Sequence, residues 1–114
     1  MKGKSVSAKQ KRFHDLLVQH VGCQACFQDN EARNHHCSVH HIDGRTKPGA
    51  HWKVLAVCAG HHQDGYGAPG MIAIHPFKAR FESRYGRQME MLSSAIKMLQ
   101  AQGHNLPDEV LALI

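Results

Sequence analysis

Two adjacent histidine pairs, His40–His41 and His61–His62, stand out in the chain, and Cys58 sits just ahead of the second pair. Eleven of the 114 residues are histidine. Imidazole is the commonest metal ligand among side chains, and its pKa suits it to act as a general base near neutral pH. Upstream, Cys23 and Cys26 form a C-x2-C knuckle, whose sulfurs one turn can aim at a single ion, and Cys58 and His61 repeat the spacing as C-x2-H. Two such knuckles supply the donors of a tetrahedral structural zinc. A thiolate-rich set favours zinc over magnesium or calcium. Its binding energy would be part of the folding energy. The plainer alternative is that Cys23 and Cys26 are ordinary buried thiols. Cys37 is left over, either as a small buried strand residue or as a replacement for His61 as the fourth ligand.

The histidine pairs divide less easily. From Cys58, His61 is three residues on and His62 four, so either could reach the cysteine site from a helix face. If His61 takes the zinc, His62 points about 100° away around the helix, towards the strand that carries His40. On an ideal strand His40 and His41 face opposite sides, which counts against one shared site unless the chain turns there. Asp43–Gly44 supplies a turn signal directly after the pair. One histidine could then hold a metal while its neighbour takes a proton. A strand histidine and a helix histidine flanking one divalent ion would make a catalytic site.

The elements that must position these groups read as α+β. Ser7 is placed to cap a helix over residues 8–21, with Phe13, Leu16, Leu17 and Val21 on one face and Gly22 as its stop. A polar loop follows the C-x2-C knuckle as far as residue 34. Residues 36–42 read as a short strand, 45–51 as a loop and 52–58 as a second strand. "AGHHQD" allows one or two helical turns before Gly65, Gly67 and Gly70 interrupt it. Pro76 opens a helix over 76–86. Residues 87–103 form an amphipathic helix with Met89, Leu92, Ile96 and Leu99 as one buried stripe, and 106–114 a last short helix. His14, His20, His35, His36 and His104 read as surface residues. The whole of 1–114 reads as one domain, with residues 1–6 as a loose basic tail.

Fourteen Lys and Arg against nine Asp and Glu give a net charge of +5, which suits a polyanion such as nucleic acid. No apolar run is long enough for a membrane span, and the basic start lacks an apolar signal core. The expected setting is therefore a reducing cytoplasm with no membrane partner. Cysteines there serve as metal ligands more readily than as disulfides.

"VHHID" on a strand followed by "LAVCAGHH" entering a helix resembles the HNH endonuclease pattern in its zinc-stapled form. More narrowly, "HHIDGRTKPGAHWKVLAVCAGHHQDG" together with "KARFESRYGRQ" resembles the phage-encoded recombination enhancement nucleases, which are RecA-dependent DNA endonucleases. The resemblance spans residues 22–88. It implies a ββα-metal core stapled by a structural zinc and flanked by N- and C-terminal helices. It implies a bacterial host cytoplasm, DNA as substrate and a RecA filament as partner. By matching positions, His40 and His62 would hold one catalytic divalent cation (magnesium, manganese or zinc) and His41 would be the general base. Asp43, Arg45 or Lys47 could orient the phosphate, and Arg45 is favoured because its fork binds phosphate oxygens in pairs. Lys78, Arg80, Arg84 and Arg87 could track a DNA backbone, or form a solvated helix face with Glu82 among them. Lys2, Lys4, Lys9, Lys11 and Arg12 could form a DNA-contacting arm or only aid solubility.

The chain departs from the pattern in two places. The middle asparagine should lie near Lys53 and is absent, with His51 the nearest residue able to brace a loop. The ligand expected one helical turn after His62 is replaced by Tyr66. His75, with His51 behind it, is the candidate for a further ligand. The main rival function is a non-catalytic zinc module that binds DNA or protein, which leaves His40, His41 and His62 without a purpose. A zinc hydrolase or deaminase needs a glutamate close after a metal-binding histidine, as in H-x-E, and no histidine here has one.

Overall fold

The computed structural model describes residues 5–114; Lys2 and Lys4 of the basic tail lie outside them. Helix α1 (Ala8–Leu16) opens on a reciprocal cap. The Ser7 hydroxyl accepts from the Gln10 amide at 3.1 Å, and the Gln10 side chain accepts from the Ser7 amide at 2.9 Å. A cap of this kind contributes about 1 kcal/mol. The helical path continues through Leu17–Val21 as a wider turn, closed by a bond from the Gly22 N–H to the Leu17 carbonyl at 2.8 Å. Phe13, Leu17 and Val21 face the core, while Leu16 is half-buried. Lys9 pairs with Glu109 and Lys11 with Asp15, so both have partners within the chain.

Gly22 has φ 73°, and a Cβ there would stand 2.7 Å from the Asn34 carbonyl oxygen. That carbonyl accepts from the Cys23 N–H at 2.9 Å. Glycine is what lets the chain return this closely. Cys23 then leads into α2 (Gln24–Asn30), which ends at Glu31 in the left-handed conformation. The sequence indicated a knuckle and loop here. The helix has seven residues and buries only Ala25 and Cys26, too little periodicity to read.

Strands β1 (Cys37–His41) and β2 (Val54–Cys58) pair antiparallel, with His40 opposite Leu55, His41 opposite Val54 and Cys37 opposite Cys58. Between them a single 3-10 turn, Ala50–Trp52, starts from Gly49 and is buried. Every residue of β2 is buried, and α3 (Ala59–His62) follows it without a break. Helix α4 (Ile74–Tyr85) is kinked at its start, where His75 and Phe77 leave helical geometry. Helices α5 (Gln88–Ala101) and α6 (Asp108–Leu111) complete a small α+β fold with a two-stranded sheet. Among the described residues no helix is long and apolar enough to cross a membrane.

Two expectations are corrected. Met89 is exposed at 36%, and the buried face of α5 is Gln88, Met91, Leu92, Ala95, Ile96 and Leu99. Counting back one turn from Leu92 reaches either 88 or 89, and the slot goes to Gln88 because its amide bridges His40 and Glu82. His14 is buried, not at the surface. Its ring faces the 3-10 turn, and its Nε2–H donates to the His51 carbonyl at 2.6 Å.

Gly22→Ala should destabilise the protein by about 1–3 kcal/mol, through the positive φ and the clash with Asn34. A thermal melt that matched the parent would show that the approach of residue 34 can relax.

Candidate active site and metal centres

The four donors from the two knuckles converge in the interior. Cys23 precedes α2, Cys26 lies in its first turn, Cys58 ends β2 and His61 sits in α3. Nδ1 of His61 lies 3.6, 3.4 and 3.2 Å from the sulfurs of Cys23, Cys26 and Cys58, and the Cys26 and Cys58 sulfurs are 3.5 Å apart. A tetrahedron with metal–sulfur bonds of about 2.3 Å has edges of about 3.5–3.8 Å. All four residues are buried. Burial pushes the Cys23 thiol up to about 11 and the Cys26 thiol up to about 12, so thiolates here require a cation to compensate them. The set could hold a structural metal ion. Cys37 stays outside it, half-buried with its sulfur 3.0 Å from the Asn34 carbonyl.

A polar shell orients His61. Its Nε2 lies 3.0 Å from Oδ2 of Asp29 and 3.2 Å from the Tyr85 hydroxyl. Tyr85 donates to the same carboxylate oxygen at 2.6 Å, and Arg84 donates to Oδ1 at 3.0 Å. With the proton on Nε2 held by Asp29, the Nδ1 lone pair faces the sulfurs, as in many metal-bound histidines. Burial acts to raise the Asp29 pKa, but the bonds from Tyr85 and His61 and the Arg84 charge leave it below the usual carboxylate range. Arg84 is thus occupied by an internal partner.

The second constellation joins His40 from β1, His62 from α3 and His75 from the start of α4, with one nitrogen of each within 4.8 Å of the others. Ring centroids are 5.2–5.3 Å apart. His75 is held there by a bridge to Gln63 and by its carbonyl, which accepts from the Asp64 N–H at 2.8 Å. Nε2 of His40 lies 2.8 Å from Oε1 of Gln88, whose amide nitrogen donates to Glu82 at 3.2 Å. The amide so oriented accepts from His40, placing the His40 proton on Nε2 and its lone pair on Nδ1. Burial lowers the His40 pKa to about 4, and burial followed by the His75 charge lowers that of His62. Both shifts favour the neutral, ligand-competent imidazole.

His41 points to the other side of β1, as alternation requires. Its Nε2 lies 2.9 Å from Nδ1 of His51. Burial and then the Arg45 charge bring its pKa down to about 4. His40 and His41 nevertheless line one cleft of about 580 Å³, with Arg45, His62, His75 and Lys78 among its other walls. Of the two candidates for a further ligand, His75 is the one the fold brings to His40 and His62. His51 meets His41 instead.

The other candidates are spread more widely. Lys47 and Arg87 are exposed, Arg80 lies over the Phe77 ring at 5.1 Å, and Lys53 faces Asp43 at 3.8 Å. Tyr66 is 71% exposed. The His20 and His104 rings meet at 4.5 Å, tilted by 46°. Sequence reasoning missed Gln88, Asp29, Tyr85 and His14. Only Gln88 left a signal, as a polar residue in register with an apolar stripe.

The site is therefore that of a small protein with a buried Cys3His cluster able to hold a metal ion and an imidazole-lined, basic cleft. The model of the family described as "Recombination enhancement, RecA-dependent nuclease" matches residues 6–100. The chain belongs to that family.

Cys23→Ala should strip the buried metal and lower the melting temperature sharply. Asp29→Asn should keep the fold but release metal to a competing chelator about 10–100-fold more readily. Metal retention equal to the parent's in both variants would refute a metal role for the cluster.

Proposed function

We propose that this chain is a metal-dependent DNA endonuclease of the HNH type, with all of residues 1–114 forming one nuclease domain. In this reading Cys23, Cys26, Cys58 and His61 hold a structural zinc, and His40, His62 and His75 hold one catalytic divalent cation. The observation that carries it is the cleft: three imidazole donors within 4.8 Å of one another, with His41, Arg45 and Lys78 along the same walls.

His41 accepts the proton of the attacking water, for which a neutral imidazole is suited. A divalent cation, when bound, supplies charge neutralisation at the scissile phosphate and the leaving oxygen. Arg45 binds the non-bridging oxygens and fixes the phosphate in the cleft. Lys78, with Arg80, Arg87 and Lys47 further out, neutralises flanking phosphates. The family description supports a role in recombination, in phage or host, on DNA presented by a RecA filament in the bacterial cytoplasm. A non-catalytic zinc module binding DNA or protein would use the cysteine site and the charge but not the histidine cleft.

Plasmid nicking with magnesium or manganese, with and without RecA filaments, tests this. His41→Ala should reduce cutting by about 10²–10⁴-fold with zinc content and melting unchanged; a variant that still cuts refutes the assignment of the base. Lys78→Ala should weaken DNA binding evenly across sequences and lower the salt slope by about 1. An unchanged slope in a titration of affinity against salt would remove Lys78 from the DNA path.

A further inference from the structure

His51 is buried, and its ring touches a residue of the cleft without belonging to the histidine trio that could hold a cation. Its position is set from several sides. Gly49 turns the chain at φ 75°, and the turn closes through bonds from Ala50 to Lys47, Trp52 to Gly49 and Lys53 to Ala50 at 3.0–3.2 Å. The Trp52 ring packs on Phe13 at 5.9 Å. The His51 carbonyl accepts from His14 at 2.6 Å. Helix α1 thus fixes both the backbone of His51 and the ring contacts around it, with the His14 and His41 rings 6.1 Å apart.

We propose that His51 is the positioning residue for His41: it accepts the Nε2–H of His41 at Nδ1 and so leaves Nδ1 of His41 as the nitrogen that receives a proton from water. The inference rests on the reading of His41 as the base. In a hydrogen bond between two ring nitrogens, one carries the hydrogen. Were His51 the donor, neutral His41 would carry its own proton on Nδ1 and have no lone pair left for the cleft. No described residue bonds Nδ1 of His41. The ring centroids lie 5.0 Å apart at 78°, an edge-on approach that restrains the plane of His41. The logic is that of a carboxylate orienting a catalytic histidine, with a second imidazole in the carboxylate's place.

The test uses three substitutions and one spectrum. In asparagine, Oδ1 stands as many bonds from Cβ as Nδ1 does in histidine, so His51→Asn keeps an acceptor. His51→Phe keeps a ring and loses it. With zinc-loaded protein, His51→Phe should lower kcat about 100-fold while KM and zinc content hold, and His51→Asn should restore most of the loss. Nitrogen-15 ring shifts of the parent should report His41 protonated at Nε2. A parent spectrum with the His41 proton on Nδ1 overturns the proposal even if the phenylalanine variant fails to fold. So does equal loss in the Asn and Phe variants. If His41→Ala is inactive and His51→Phe cuts like the parent, this inference alone falls; if His41→Ala still cuts, the reading beneath it falls.

Discussion

The geometry depends first on the clamp formed by Cys23, Cys26, Cys58 and His61. Helix α3 has four residues, far below the length at which a helix persists unaided in water. Its position is set by what grips it at one end, namely Cys58 and His61 in the buried cluster, and by Gly60 against Gly67 and Met71 on its flank. A Cβ on Gly60 would stand 2.7 Å from the Gly67 α-carbon, so α3 and the following loop meet backbone to backbone. His62 is one residue from His61. Whatever holds His61 to the sulfurs therefore also aims His62 at His40. The same shell reaches α4 through Tyr85 and Arg84, whose bonds to Asp29 tie the helix that carries His75 in its first turn to the cysteine cluster.

Alternation along β1 explains how neighbouring histidines can differ in role. The strand keeps its register through His40 and His41, so the two rings leave on opposite sides without any break in the chain. His40 is received by Gln88, His41 by His51. In both cases the partner engages Nε2, so the nitrogens left over are the two Nδ1 atoms. Side chains sent to opposite faces still share a cleft because β1 is an edge of a two-stranded sheet, with β2 as its single described neighbour.

Much of this was legible in the sequence, and the limits have physical causes. The paired knuckles were readable because metal geometry restricts ligand spacing. The strands were readable from β-branched content and the Asp43–Gly44 turn, α4 from Pro76, and α5 from its apolar periodicity. Spacing could not choose between His61 and His62, since both fall within one helical turn of Cys58; the choice is made by Asp29 and Tyr85, which lie far off in sequence and signal nothing locally. His14 looked like a surface residue because a buried imidazole is recognised only by its partner, here a backbone carbonyl 37 residues away. Met89 and Gln88 compete for one slot on α5. Hydrophobicity alone favours methionine, and the polar demand of His40 reverses that choice.

The charges of the cleft follow from its composition. Its walls include His40, His41, His62, His75, Arg45 and Lys78, and no aspartate or glutamate is among the residues that line it. Imidazole ligands are neutral, so a divalent cation held by them would keep its full charge, where a carboxylate site would cancel part of it. Arg45 and Lys78 add to the positive charge along the same walls, which favours an anionic group in the cleft. All-nitrogen ligation also suits borderline cations better than magnesium, which prefers oxygen and retains water. The sulfur cluster beneath is the opposite case: its thiolates supply the negative charge themselves, and its burial keeps solvent away. The fold thus sets two donor sets of opposite character side by side, a buried one rich in sulfur and a more exposed one of imidazoles alone.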